Sequence, residues 1–270
     1  MTLPMPAPDR TCVITGASSG IGADLARQLA RRGHGVTLVA RREDRLRALA
    51  EELATQHRIR AEVLTCDLTD DGARAAIAPS VEKRGLTVDV LVNNAGFSTT
   101  GPVHASDPAR EVAMIRTDVE ALAHLCSAFL PGMVARGRGA VLNVASMAAY
   151  QPLPGQAGYA ACKAFVLAYS QALAEEVKGK GVSITVLCPG PVETEFAAVA
   201  GIEDGGSDAL PRFMWVSSEA VAAEAVVGME KGRQVVIPGV PNRIGAAVGY
   251  LTPRRLLLPL LAGRHPSLKP

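Results

Sequence analysis

Residues 15 to 22 read TGASSGIG, and they stand between the β-rich run TCVITG (11 to 16) and the amphipathic run IGADLARQLARRG (21 to 33). Ile21, Leu25 and Leu29 recur at helical spacing until Gly33 ends the pattern. The stretch is therefore a strand, a glycine-rich turn and the start of a helix. Gly16, Gly20 and Gly22 present no Cβ to keep a pyrophosphate away from the backbone, and a helix N-terminus offers it N–H groups and a positive dipole end. The spacing G-x-x-x-G-x-G is a variant of the commoner G-x-G-x-x-G pattern. The alternative, a turn that holds no ligand, is weakened by its place in the first β-α unit.

The unit then repeats outward from this turn. GVTLVA (35 to 40), AEVLTCDL (61 to 68), VDVLVNNAG (88 to 96), the run 139 to 146, ITVLCPG (184 to 190) and QVVIP (234 to 238) read as further strands. Between them EDRLRALAEELATQ and residues 71 to 84, 108 to 117, 119 to 136, 157 to 179 and 218 to 231 read as helices, the third and fourth broken or merged near Thr117-Asp118. This alternation predicts an α/β fold: a doubly wound parallel sheet of about seven strands, Rossmann-like, in three α/β/α layers with right-handed crossovers. No repeat or linker divides residues 10 to 240, so one domain is expected. A loose tail (1 to 9) precedes it, and an apolar C-terminal extension (241 to 270) follows.

Composition narrows the function classes. The chain has 270 residues, 48% of them hydrophobic, enough to bury a sizeable core, and 28 basic against 26 acidic residues give a net charge of +2. Basic residues are dispersed apart from Arg31-Arg32, Arg41-Arg42 and Arg254-Arg255, so nucleic acid is not an implied partner. Five scattered cysteines without C-x-x-C spacing read as buried thiols of a reducing, cytoplasmic compartment. Five dispersed histidines build no metal site from sequence neighbours. The proline-rich start, MTLPMPAPDR, has no apolar core of signal-peptide length.

Chemistry-bearing residues cluster at the predicted strand ends. Tyr159 and Lys163 stand four apart in AGYAACKAFVLAY (157 to 169) and so share one helix face. Ser146 closes the apolar run AVLNVAS. A strand delivering a hydroxyl and a helix delivering a phenol and an amine can meet at one point. Arg41 and Arg42 follow the second strand where an NAD site usually carries an acid; cations suit the 2′-phosphate of NADP, with Arg41 the stronger candidate. Asp67, closing the third strand, is placed for an adenine amine, and Asn93 to Gly96 form a polar turn at the ligand-binding edge.

TGASSGIG, NNAG (93 to 96), Ser146, Tyr159-Ala160-Ala161-Cys162-Lys163 and Pro189-Gly190, in this order, make the chain resemble the short-chain dehydrogenase/reductase family in its compact form, over about residues 10 to 240. The resemblance implies hydride transfer between a nicotinamide and a carbonyl or carbinol carbon. Tyr159 would be the general acid in reduction and the base in oxidation. A free phenol near pKa ~10 needs a cation to reach phenolate at neutral pH, which Lys163 would supply while holding the nicotinamide ribose. Ser146 would orient the substrate oxygen. The implied cofactor is NADP(H) in preference to NAD(H). Its site would comprise Gly16, Ser18, Ser19, Gly20, Ile21, Gly22, Arg41, Arg42, Asp67, Leu68, Asn93, Ala95, Gly96, Tyr159, Lys163, Pro189, Gly190, Val192 and Thr194, with Thr194 near the carboxamide. A homodimer or homotetramer through the long helices 108 to 136 and 157 to 179 is also implied.

One position departs from the family. A helix Asn that holds a water in the proton relay is replaced by Asp118, whose charge favours a protonated lysine and opposes phenolate. This residue sustains an alternative reading, an NADP(H)-binding sensor or regulator with little catalysis. A sugar-nucleotide epimerase would want a larger substrate domain. Residues 191 to 216 have the composition of a mobile lid, with Gly205-Gly206 and Pro211. Phe196, Phe213, Met214 and Trp215, with Met147 and Tyr150, suit either an apolar pocket for a hydrophobic carbonyl or alcohol substrate or ordinary lid packing. The extension 241 to 270 is interrupted by Pro253, Arg254, Arg255 and Pro259 and falls short of the roughly 20 apolar residues of a membrane span. Packing within the protein is its first reading, a subunit interface or a membrane surface the others.

Overall fold

The computed structural model of the chain describes residues 3–200, 211–264 and 268. Seven parallel strands form one sheet: β1 (Arg10–Thr15), β2 (Val36–Ala40), β3 (Ala61–Thr65), β4 (Thr87–Asn93), β5 (Gly139–Val144), β6 (Val182–Leu187) and β7 (Val235–Val236). Their spatial order is β3-β2-β1-β4-β5-β6-β7, the doubly wound Rossmann-like arrangement. The strand order reverses between β1 and β4, which pair directly through Ile14 and Val92. Ligand crevices of such sheets open at the carboxyl ends of the strands flanking that reversal.

The helices are α1 (Gly20–Ala30), α2 (Glu43–His57), α3 (Asp71–Ala75), α4 (Ile77–Glu82), α5 (Pro108–Ile115), α6 (Ala121–Ala135), α7 (Ala157–Glu176), α8 (Phe196–Ala200), α9 (Ser218–Glu230), α10 (Val240–Leu251) and α11 (Arg254–Arg264). They cover both sheet faces, because alternate strand residues point to opposite sides. Cys12 and Ile14 of β1 join Leu25, Leu29, Leu46, Leu53, Val221 and Met229 in one buried layer. Val13 turns the other way, into a layer with Ile77, Val81, Leu125, Met133, Val166 and Leu173. All five cysteines are buried and free.

Several boundaries differ from the sequence expectation. The single helix expected over 71 to 84 is two short helices meeting at Ala76, because Pro79 has no N–H to give the Ala75 carbonyl. The helices expected over 108 to 117 and 119 to 136 run into one another through one π-helical turn, Arg116–Glu120. Strands β3, β4, β5 and β6 end two to three residues early, so Asp67, Gly96, Ser146 and Gly190 stand on loops beyond the ladder. β7 is two residues long and paired only to β6.

The tail expected to be loose is tied down over residues 3 to 9. Leu3 packs against the first core layer, Arg138 donates to the Met5 carbonyl, and Thr87 N–H donates to Asp9 O at 2.9 Å. The C-terminal extension folds as α10 and α11, and α10 packs within the protein by one face only. Asn242, Ala246 and Gly249 are buried, whereas Val240, Ile244, Val248 and Leu251 form an exposed stripe opposite them. No helix among the described residues is long and apolar enough to cross a membrane. The lid residues Gly205 and Gly206 lie outside the described residues.

Candidate active site

The glycine turn is built at the sheet's reversal by contacts that leave no room for a side chain. Gly16 and Gly20 have φ of +66° and +52°, conformations open mainly to glycine. A Cβ on Gly16 would stand 2.8 Å from Ala95 Cα, and one on Gly22 only 2.4 Å from Gly16 O and Asn94 Nδ2. Asn94 is the clamp. Its amide donates to the Thr15 and Gly16 carbonyls at 3.0 and 3.3 Å, while Thr15 Oγ1 accepts from the Asn94 and Ala95 N–H groups at 3.0 and 3.1 Å. Ser19 precedes α1 in extended conformation without capping it, and the first turn carries no acid. The N-terminal N–H groups of α1 thus receive no side-chain cap from Ser19, the disposition that accepts an anionic group. The residues present fit a dinucleotide pyrophosphate.

At the outer end of this turn Arg42, not Arg41, folds onto the serines. Its Nε and Nη2 donate to Ser18 Oγ at 3.2 and 3.0 Å, and Nη2 also donates to Ser19 Oγ at 2.8 Å. Arg41 is exposed and acts on Asp67 only through its charge. The Asp67 carboxylate accepts from Thr69 N–H at 2.9 Å and Thr69 Oγ1 at 2.8 Å, bonds that hold it below the usual carboxylate range. Leu68 is buried in the second core layer. Ile21 and Val192 are partly buried against the first.

Asn93 does not face the cradle with its side chain. It donates to Asn143 Oδ1 at 2.9 Å, and Asn143 donates to Ser170 Oγ at 2.9 Å, a buried polar chain tying β4, β5 and α7 together. The reason is strand alternation: Asn93 is the last ladder residue of β4, directly opposite Asn143 of β5. Asn94, one residue on, is the residue whose side chain turns to the glycine turn.

The structure brings Ser146, Tyr159, Lys163 and Asp118 together. Ser146 leaves β5 in extended conformation, and its Oγ accepts from Ala148 N–H at 3.1 Å and lies on the Tyr159 side, where it favours the phenolate. Lys163, one turn along α7, places Nζ 5.5 Å from the Tyr159 ring centre and donates to Val144 O at 3.2 Å. Asp118 comes from the π-helical turn, with Oδ1 2.7 Å from Lys163 Nζ and Oδ2 accepting from Phe97 N–H at 3.1 Å. Both side chains are almost fully withdrawn from solvent, at 5% and 0% exposure for Lys163 and Asp118. The Oδ1 contact is an ion pair off the hydrogen-bond direction, since no aligned donor faces that atom. Gly96 is obligatory beside the pair: a Cβ there would lie 2.5 Å from Asp118 Oδ1 and 3.1 Å from Lys163 Nζ.

Burial and charge act against each other here. Burial raises the Tyr159 phenol; Lys163 and Ser146 pull it back, and Asp118 raises it further. Burial also raises Asp118, against the attraction of Lys163. Burial alone would lower Lys163, but Asp118 and Tyr159 outweigh it and hold the ammonium above its ordinary value. Cys162, beside the lysine, is buried, and its thiol is pushed up to about 11 by burial and then by Asp118.

On the substrate side, Phe196 sits 5.6 Å from the Tyr159 ring, tilted by 54°. Phe213, read from sequence as either a pocket or a lid-packing residue, is 71% exposed. Burial, with Cys188 adding to it, pushes the Tyr150 phenol up, and Pro189 O accepts from Met147 N–H at 2.9 Å. Gly190 reveals a contribution from the extension that the sequence did not signal. A Cβ there would stand 2.5 Å from Asn242 Oδ1, so α10 packs directly beneath the loop after β6.

With this geometry, residues 10–203 match the family model for short chain dehydrogenases. The chain belongs to the short-chain dehydrogenase family. It is 38% identical over 208 residues to sulfoacetaldehyde reductase 2 of Chromohalobacter salexigens, covering 74% of this chain and 80% of that protein. An NADP-dependent 3-hydroxy acid dehydrogenase of Salmonella typhi is 38% identical over 192 residues, 69% of this chain and 75% of the relative. Among solved structures, a short-chain dehydrogenase from Sphingobium yanoikuyae in complex with NADPH superposes with a TM-score of 0.80 at 34% identity, covering 93% of this chain and 95% of that one. This short-chain dehydrogenase is accordingly an oxidoreductase of the family.

Proposed function

We propose that the protein is an NADP(H)-dependent oxidoreductase that interconverts a ketone or aldehyde with an alcohol, Tyr159 acting as general acid and base. The observation that carries this reading is the buried Tyr159 phenol, with Ser146 acting on it and the Lys163 ammonium over its ring. NADP(H), when bound, supplies or takes up the hydride. In the reductive direction Ser146 donates to the substrate oxygen and fixes it beside the phenol, and Tyr159 gives that oxygen its proton. The Lys163 ammonium stabilises the phenolate left behind. Gly16, Gly20 and Gly22 with the N-terminus of α1 would hold the pyrophosphate, and Arg42 with Ser18 and Ser19 the 2′-phosphate. The NADPH-bound and NADP-dependent relatives support this cofactor. Phe196 against Tyr159 supports an apolar substrate. Exposed Val112, Ile115 and Phe165 on α5 and α7 support a homo-oligomer through those helices.

The test is to follow reduced-nicotinamide absorbance with NADPH and with NADH across a panel of aldehydes and ketones graded in size and polarity. NADPH consumption with apolar carbonyls is expected. The buried Asp118–Lys163 pair favours a second reading, a cofactor sensor, and binding of NADPH with no consumption on any carbonyl would establish that instead.

A further inference from the structure

Resting on the NADP(H) reading, we infer that Glu195 is a built-in competitor of the cofactor's 2′-phosphate, a carboxylate that NADP(H) must displace from Arg42 and Arg45 in order to bind. Glu195 Oε2 lies 2.8 Å from Arg42 Nη1, and Oε1 lies 2.6 Å from Arg45 Nη1. Two guanidinium groups, one at the start of α2 and one in its first turn, thus converge on one anion brought from 150 and 153 residues away. Arg42 spends its other donors on Ser18 and Ser19, so its outward Nη1 is the atom given to the acid. Two arginines converging on one negative charge, with two serine hydroxyls bonded to the other nitrogens of Arg42, are the donor set a phosphate monoester takes. The arginine pairing keeps the Glu195 carboxyl at about 2, so the competing charge is present at every ordinary pH.

The residues beside Glu195 extend the competition along the cleft. Thr194 packs its methyl against Gly20, 3.1 Å from where a Cβ would be, and Thr194 Oγ1 accepts from Phe196 N–H at 3.2 Å. Phe196 in turn lies against Tyr159. Residues 194 to 196 therefore form a strap that touches the phosphate turn, the arginine pair and the tyrosine in succession. A nucleotide carrying a 2′-phosphate replaces Glu195 on both arginines and lifts the strap. NAD(H) brings no such charge and gains nothing from removing the acid.

Binding of NADP+, NAD+ and adenosine 2′,5′-bisphosphate to wild type and Glu195→Gln, by isothermal titration at low salt, tests this. Glu195 is exposed, so the substitution leaves the core untouched. The variant should bind NADP+ and the bisphosphate roughly fivefold more tightly, a gain kept small by the solvent screening of exposed pairs, and that gain should shrink in high salt. NAD+ should change by less than about twofold on the same reasoning. Unchanged or weaker NADP+ binding in Glu195→Gln, with a wild type that prefers NADP+, overturns the role of Glu195 alone. A wild type that prefers NAD+ overturns the cofactor reading and this inference with it.

Discussion

Asp118 Oδ1 and Lys163 Nζ lie 2.7 Å apart in the interior, and the same lysine stands over the face of Tyr159. Three ionisable groups thus share one dry site, and a change of charge on one is felt by the others. The charges and proton-bearing groups facing this cluster come from the π-helical turn (Asp118), from α7 (Tyr159, Cys162, Lys163) and from α5, where Glu111 acts on Cys162. Asp118→Asn removes a negative charge that raises the Tyr159 phenol. Oxidation of an alcohol needs the phenolate, so its rate rises with pH through the phenol's pKa. In Asp118→Asn that rise should begin at lower pH than in wild type. Superimposed kcat/KM profiles would mean the carboxylate carries no functional charge.

Tyr159→Phe removes the oxygen proposed to transfer the proton while keeping the ring that packs against Phe196. Turnover should fall by at least about a hundredfold, the usual weight of a positioned general acid. NADPH affinity, measured by quenching of the single tryptophan or by titration, should stay within about twofold, because the site loses one neutral hydroxyl and keeps Lys163 and the glycine turn. Turnover at the wild-type rate would remove Tyr159 from the chemistry.

The sheet was legible because burial on both faces forces short apolar runs, and glycine-terminated helices separate them. Gly16, Gly20, Gly22, Ser146, Tyr159 and Lys163 were legible for a related reason, since backbone approach and side-chain spacing on one element can be read from neighbours in sequence. What was not legible depends on which way a side chain leaves the end of an element. Arg41 and Arg42 differ by one residue at the start of α2, and only the second turns back onto Ser18 and Ser19. Asn93 and Asn94 differ by one residue at the end of β4, and the first is committed to Asn143 inside the sheet. Glu195 reaches Arg42, and Asn242 packs against Gly190, across more than fifty residues, and neither stands in a pattern that local periodicity would mark.

The cradle is predicted to be intolerant of one methyl group. In Gly22→Ala the new Cβ meets Gly16 O and Asn94 Nδ2 at 2.4 Å, one of them backbone, so the turn or the Asn94 clamp must move. Overpacking of this kind costs about 1 to 3 kcal/mol. The same displacement spoils the N–H directions at the start of α1, so NADPH affinity should fall more than about tenfold while the far-ultraviolet dichroism stays native. Unchanged affinity would show that the pyrophosphate does not use this turn.

The link between α10 and the loop after β6 can be separated from the chemistry by a double-mutant cycle. Asn242 is fully buried and donates to Met214 O at 3.0 Å and Pro238 O at 2.9 Å, fixing the end of the lid to the loop after the last strand. Asn242→Ala strands two carbonyls and should cost about 2 to 4 kcal/mol, seen as a loss of several degrees in Tm. Gly190→Ala should also destabilise, because its Cβ collides with Asn242 Oδ1. In the double variant the methyl added at position 190 enters the space that the amide has left. The combined loss should therefore be smaller than the sum of the two single losses by about 0.5 to 3 kcal/mol, the coupling expected of residues in contact. Strict additivity would mean that Gly190 and Asn242 do not touch in solution, and that the C-terminal extension leaves this loop to be positioned by β6 alone.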